Sequence, residues 1–272
     1  MSVATLKEVL DQAKAQRYAV CNFDCFNIET ARAALLAAEE TASPVILAYA
    51  EVFDSHIGQQ HFARLLRSLA EEASVPVVLH TDHYTHIEML QGALDAGFTS
   101  LMIDASDRAY TENVELTHQV VEMAKPYGAS VESELGHVSG LGDLFADDSS
   151  VFTDPSMALD FVSKTGIDAL AVSIGNVHGV YRSEPKLRFD ILQKIVDLVP
   201  APLVLHGASG ISDEDLRKAA HLGISKVNFF TDLCLAAAEY LKEHPGEHYY
   251  DASMHVLPVM QAVAKHKILA LR

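Results

Sequence analysis

Reactive side chains recur along this 272-residue sequence at similar places, each closing a short apolar run. His80-Thr81-Asp82-His83 follows Val77-Val78-Leu79, and Asp104 follows Leu101-Met102-Ile103. Glu132 and Glu134 close the run at Ala129, His178 follows the one ending at Ile174, His206 ends Leu203-Val204-Leu205, and Asn228 lies in Lys226 to Phe229. His83, His178 and His206 are 95 and 28 residues apart, too far for a local metal loop. A lone histidine is more often a hydrogen-bonded surface or core residue. Three of them at strand ends, each beside Gly or Asp, fit three neutral imidazoles around an open position, the ligand set of a catalytic zinc site. A second cluster is glycine-rich: Ser173-Ile174-Gly175-Asn176-Val177-His178-Gly179 and His206-Gly207-Ala208-Ser209-Gly210. Such loops turn backbone N–H groups toward an anion, and in α/β barrels the late loops commonly bind phosphate.

Something must bring these positions together, and the hydropathy pattern names it. Strands are read at Tyr18 to Phe23, Pro44 to Tyr49, Pro76 to His80, Ser100 to Ile103, Ala129 to Glu132, Ala169 to Ile174, Pro202 to Leu205 and Lys226 to Phe229. Amphipathic helices are read at Ile28 to Glu40, His56 to Ala73, Thr85 to Ala96, Tyr110 to Lys125, Pro155 to Thr165, Phe189 to Leu198, Asp213 to His221 and Thr231 to Lys242. Eight alternating units imply a parallel sheet closed as a (β/α)8 TIM barrel in one domain over residues 1–272, a doubly wound sheet being the alternative. Residues from about 135 to 153 lack either periodicity and are expected to form a mobile active-site loop. A C-terminal helical segment is expected at about 245–272, irregular from Pro245 to Ser253 and helical from about Val256 to Leu269.

Composition removes several functions. With 20 Lys+Arg against 37 Asp+Glu, the formal charge of −17 argues against nucleic acid or an anionic membrane surface. The N-terminal segment MSVATLKEVLDQAKAQR is polar and lacks a signal-peptide core, and no stretch has the roughly 18 apolar residues of a membrane span, so a cytoplasmic location is expected. Cys21, Cys25 and Cys234 suit reduced thiols rather than a disulfide framework. Fourteen histidines point toward metal or acid–base chemistry.

Longer motifs resemble one family, the class II, zinc-dependent ketose-bisphosphate aldolases, among them fructose- and tagatose-1,6-bisphosphate aldolases. They include Ser43-Pro44-Val45-Ile46-Leu47, Asp82-His83, Met102-Ile103-Asp104-Ala105-Ser106, Val131-Glu132-Ser133-Glu134-Leu135-Gly136, His178-Gly179-Val180-Tyr181, the run Leu203 to Ile211, and Lys226-Val227-Asn228 with Thr231. The resemblance implies that His83, His178 and His206 bind Zn2+ and that Asp82 exchanges a proton with the C4 hydroxyl and nascent aldehyde. Glu134 and Asp104 would support these ligands or form an alternative ligand set. Gly179, Gly207, Ser209 and Thr231 would cradle the phosphate of dihydroxyacetone phosphate, with Arg182 near it and Asn228 at the ketone or hydroxyl end. The Gly179 and Gly207 carbonyls resemble a site for Na+ or K+, and the family implies a homodimer or homotetramer.

Four positions depart from that pattern. Asp24 stands where many relatives have Asn. Gly142 replaces the glutamate expected to move the C3 proton, leaving Asp143 as the nearest substitute, with Asp147 and Asp148 in reserve. Phe230 replaces a small or polar residue, with Cys234 where relatives are often basic, and Tyr249 to Ser253 replaces the Pro-Arg motif that holds a distal phosphate. No arginine lies between Arg217 and Arg272, and an arginine fork is the preferred partner of phosphate. The expected reaction is therefore reversible cleavage of a ketose 1-phosphate into dihydroxyacetone phosphate and an unphosphorylated aldehyde. A bisphosphate aldolase proper, a metal-dependent hydrolase and a weakened sugar-phosphate-binding barrel are the alternatives.

Overall fold

The computed structural model describes residues 2–136, 138, 152–181 and 184–272. Its centre is eight parallel strands: β1 (Val20–Asp24), β2 (Val45–Ala50), β3 (Val77–Asp82), β4 (Ser100–Ile103), β5 (Ser130–Leu135), β6 (Ala169–Val172), β7 (Leu203–Leu205) and β8 (Ile224–Phe229). They neighbour one another in the order β3-β2-β1-β8-β7-β6-β5-β4, and β4 returns to β3 through the pair Ser100–His80. The sheet is thus a closed (β/α)8 barrel, as the alternation predicts. The predicted strands match within one to three residues at either end.

Successive residues of a strand face opposite sides. One set, including Cys21, Phe23, Leu47, Leu79, Leu101 and Val227, is buried beneath the helices. The other set faces the barrel axis. At the N-terminal end of the strands this interior is apolar: Val20, Ile46, Val78, Met102, Ala169, Ala171 and Val204 pack in one buried cluster with Leu6, Val9, Leu10 and Ala13. Those last four lie on helix α1 (Leu6–Gln16), which plugs the barrel floor. Nearer the mouth the inward positions turn polar, with Asn22, His80, Glu132, His206 and Lys226 all buried.

Three helical regions correct the expectations. The N-terminal segment, taken only as polar, carries α1: Thr5 and Glu8 form a reciprocal capping box, and apolar residues recur at the three- and four-residue spacing of a buried face. The helix expected at His56 to Ala73 is two, α3 (Asp54–Ile57) and α4 (Gln59–Glu72), because Gly58 turns the chain at φ +73° and Asp54 accepts the Gln59 N–H at 2.7 Å. Residues from Tyr249 onward, expected to be irregular as far as Ser253, already belong to a 22-residue helix reaching Ala270, with His248 at its N-cap and Pro258 inside it. This last helix lies on the alanine-rich helix Ile28–Glu40, and Lys265 Nζ donates to Glu40 Oε1 at 2.7 Å. Among the described residues no helix is long and apolar enough to cross a membrane.

Candidate active site

The strand ends converge at one mouth. Asp82 ends β3 and His83 follows it with a left-handed backbone, φ +49°, which swings the imidazole across the barrel opening. His83 Nε2 lies 3.1 Å from His178 Nε2 and 2.9 Å from His206 Nδ1. Each of two rings is held from behind: His83 Nδ1 lies 2.7 Å from Asp104 Oδ2, and His206 Nε2 lies 2.8 Å from Glu132 Oε1. A carboxylate only accepts, so those outer nitrogens carry hydrogens, and the inner nitrogens are the ones whose lone pairs a metal ion would take in place of a proton. Nitrogens on a tetrahedral zinc, with bonds of roughly 2.0–2.1 Å, stand about 3.3–3.4 Å apart, close to the spacing here. The donor set therefore fits a metal ion. Burial opposes charge on His83, but Asp82, Asp104 and Glu134 outweigh it and raise its pKa to about 10. A field that favours a proton there also favours a metal cation. His83, Asp104 and Glu134 form a second group with mutually close ligand atoms, sharing the same imidazole.

Three carboxylates near this point are shifted in different directions. Asp82 accepts from Asn228 Nδ2 at 3.0 Å; burial raises its pKa, yet His83, His206 and Lys226 bring it below the ordinary value. Burial, reinforced by Asp82, holds Asp24 well above its ordinary value. Glu134 is pushed up to about 8 by burial and then Asp104. Asn228 Oδ1 is buried without a partner among the described residues, leaving an acceptor for a ligand hydroxyl.

Beside the imidazoles, the loops after β6 and β7 are stitched together. Tyr181 Oη accepts from Val177 N at 3.0 Å and donates to the Gly207 carbonyl at 2.9 Å, while Asn176 Nδ2 donates to the His206 carbonyl at 3.0 Å. Gly179 and Gly207 have φ of +92° and +63°. Ser209 Oγ accepts from Asp232 N at 3.3 Å, and Thr231 opens a 13-residue helix, α10 in chain order (Thr231–Glu243), so its N-terminus points at the same corner.

A cavity of about 310 Å3 joins the two halves, with Asp82, His83, His178, Gly179, Gly207, Ser209, Asn228 and Thr231 in its walls. Part of its wall is aromatic, including Phe230, the residue immediately before Thr231. Phe53 and Phe230 have ring centroids 5.5 Å apart, and Phe26 backs them at 5.7 and 6.0 Å. Nearby Glu51 is held below the ordinary carboxylate range: burial opposes its charge, but hydrogen bonds from Thr85 and His86 prevail. The structure thus assembles all of the predicted site residues that it describes. Asp143 and Arg182 lie outside the described residues, as do Gly142, Asp147 and Asp148. Glu132, His80 and Lys226 carry no role in the sequence motifs, yet each lies two residues from Glu134, Asp82 or Asn228 and so shares its inward face.

The sequence profile described as fructose-bisphosphate aldolase class-II matches residues 4–271. This chain belongs to the class II fructose-bisphosphate aldolase family. It is accordingly an aldolase, a carbon–carbon lyase. It is 43% identical over 246 residues to a fructose-bisphosphate aldolase of Geobacillus stearothermophilus, covering 89% of this chain and 86% of the relative. It is 40% identical over 260 residues to the Escherichia coli protein YdjI, covering 95% and 93%. The crystal structure of the YdjI aldolase superposes with a TM-score of 0.91 at 38% identity, covering 99% of this chain and 97% of the other.

The glycine in the β7 loop offers a direct check on the stitched corner. A Cβ at Gly207 would sit 2.2 Å from the Val177 carbonyl oxygen, whereas one at Gly128, also left-handed at φ +66°, meets nothing within 4 Å. Gly128→Ala is expected to cost about 1 kcal/mol of backbone strain and leave ligand binding intact. Gly207→Ala is expected to weaken dihydroxyacetone phosphate binding at least tenfold, measured by calorimetry on folded protein; equal binding by the two variants would contradict the role of this close approach.

Proposed function

We propose that this aldolase uses zinc to cleave a ketose 1-phosphate reversibly into dihydroxyacetone phosphate and an unphosphorylated aldehyde. One observation carries the reading: the three facing imidazoles share one cavity with the corner formed by Gly179, Gly207, Ser209 and Thr231. His83, His178 and His206 hold the metal, with Asp104 and Glu134 supporting them or serving as an alternative ligand set. The bound metal supplies Lewis acidity for the charge left on the dihydroxyacetone phosphate half.

The protein groups do the rest. Gly179, Gly207, Ser209 and Thr231, with Arg182, hold the phosphate; the Gly179 and Gly207 carbonyls offer a Na+ or K+ position. Asn228 orients the ketone or hydroxyl end. Asp82 takes the C4 hydroxyl proton as the C3–C4 bond breaks, the electron pair passing to the C2–C3 fragment and the aldehyde forming at C4. Asp143 returns a proton to C3. The protein acts in the cytoplasm as a homodimer or homotetramer, on a small phosphorylated ketose rather than nucleic acid or membrane.

Support for an uncharged distal end comes from what faces it. Among the described residues no lysine or arginine lines the cavity, whose walls include Phe53 and Glu51, and a charged hydrogen bond to a second phosphate lost there is worth roughly 1.5–3 kcal/mol. Ketose 1-phosphates are therefore expected to exceed fructose and tagatose 1,6-bisphosphates in kcat/KM by about tenfold or more on the same scale. A preference for either bisphosphate would overturn this substrate assignment. Separately, Asp143→Ala is expected to slow deuterium exchange at C3 of dihydroxyacetone phosphate by about 10²–10⁴-fold; unchanged exchange would remove Asp143 from that role.

A further inference from the structure

Inside the barrel, directly beneath the imidazoles, lies a charged network that the reaction does not use. Lys226, Glu132 and His80 are each 0% exposed. Lys226 Nζ lies 3.0 and 2.8 Å from the two Glu132 carboxylate oxygens and 3.2 Å from His80 Nε2. His80 Nδ1 is 2.7 Å from Ser100 Oγ, and Glu132 Oε1 is 2.8 Å from His206 Nε2.

We propose that Lys226, Glu132 and His80 are positioning residues whose buried chain of hydrogen bonds fixes the ring nitrogen that His206 presents to the metal. The inference rests on the reading of His206 as a ligand. Its direction follows from donor and acceptor counts. An ammonium has three hydrogens and no acceptor, so Lys226 donates to both Glu132 oxygens and to His80 Nε2. His80 then carries its hydrogen on Nδ1 and donates it to Ser100 Oγ. Glu132 can only accept, so His206 keeps its hydrogen on Nε2 and turns the Nδ1 lone pair toward His83 Nε2, 2.9 Å away. The opposite tautomer would set a lone pair against the carboxylate. Without Lys226, Glu132 would be an unpaired buried anion, so the two residues form one device.

That pairing also dictates the test. Replacing one partner strands a buried charge, whereas replacing both with apolar residues of similar volume is often tolerated. The double variant Lys226→Met/Glu132→Leu is expected to fold, to bind zinc about 10–100-fold more weakly in competition with a chelator, and to lose the single Nε2–H tautomer of His206 in 15N NMR of the metal-free protein. A folded double variant with zinc affinity within threefold of wild type and the same tautomer would overturn the proposal, since a purely structural role would lower only the melting temperature. Should the double variant not fold, Glu132→Gln is read by the same two measurements; unchanged affinity together with an unchanged tautomer again overturns it. Failure of the underlying ligand reading looks different: wild-type protein would bind no zinc, or His206→Ala would bind it as tightly as wild type.

Discussion

The two-residue period of a parallel strand, repeated around a closed barrel, is the constraint on which this protein depends. It sends every second side chain toward the axis, and closure gives those side chains no solvent until they reach the mouth. The interior is consequently graded. An apolar floor formed with α1 gives way to Lys226, Glu132 and His80, and above these stand His206, Asp82 and Asn228 at the opening. Residues far apart in the chain meet there because neighbouring strands end at the same level.

The gradient has an energetic cost that stability alone does not explain. A buried ion pair is seldom better for folding than well-packed apolar residues of equal volume. Here Glu132 is shared between Lys226 and His206, so the pair leaves the apolar arrangement of the floor and turns an imidazole toward the site. Charge is local in the same way at the mouth. The chain carries −17 overall, and the corner at Gly179, Gly207, Ser209 and Thr231 is lined by no lysine or arginine among the described residues but lies at a helix N-terminus. The cavity wall also holds Phe53 and Phe230 near Glu51, whose carboxylate is kept below the ordinary range by hydrogen bonds from Thr85 and His86.

Much of this is legible in the sequence alone. Strands buried on both faces are continuous Val, Ile and Leu runs, so their number, their order and the barrel followed from the pattern. His83, His178 and His206 stood out because polar residues closing such runs must lie at one end of the barrel. Other features depend on neighbours that sequence does not display. Glu132 stands out in the sequence as an acid closing its strand, but its pairing with Lys226 exists only because β5 and β8 face each other across the interior. Phe53 and Phe230 come from different loops and become a wall only in contact. Helix α1 was overlooked for a different reason: its charged residues obscured the spacing of Leu6, Val9, Leu10 and Ala13 and the capping signal at Thr5 and Glu8. Tyr249 to Ser253 likewise lacks a strong apolar stripe and is helical because the long C-terminal helix continues through it.

Three imidazoles, those of His83 and His206 aimed by carboxylates behind them, are proposed to hold one metal ion at the barrel mouth. Anomalous diffraction at the zinc edge from zinc-loaded crystals tests it most directly. The expected result is a single strong peak bonded to His83 Nε2, His178 Nε2 and His206 Nδ1. A peak elsewhere, ligation through His206 Nε2, or no ordered zinc at these residues would contradict it.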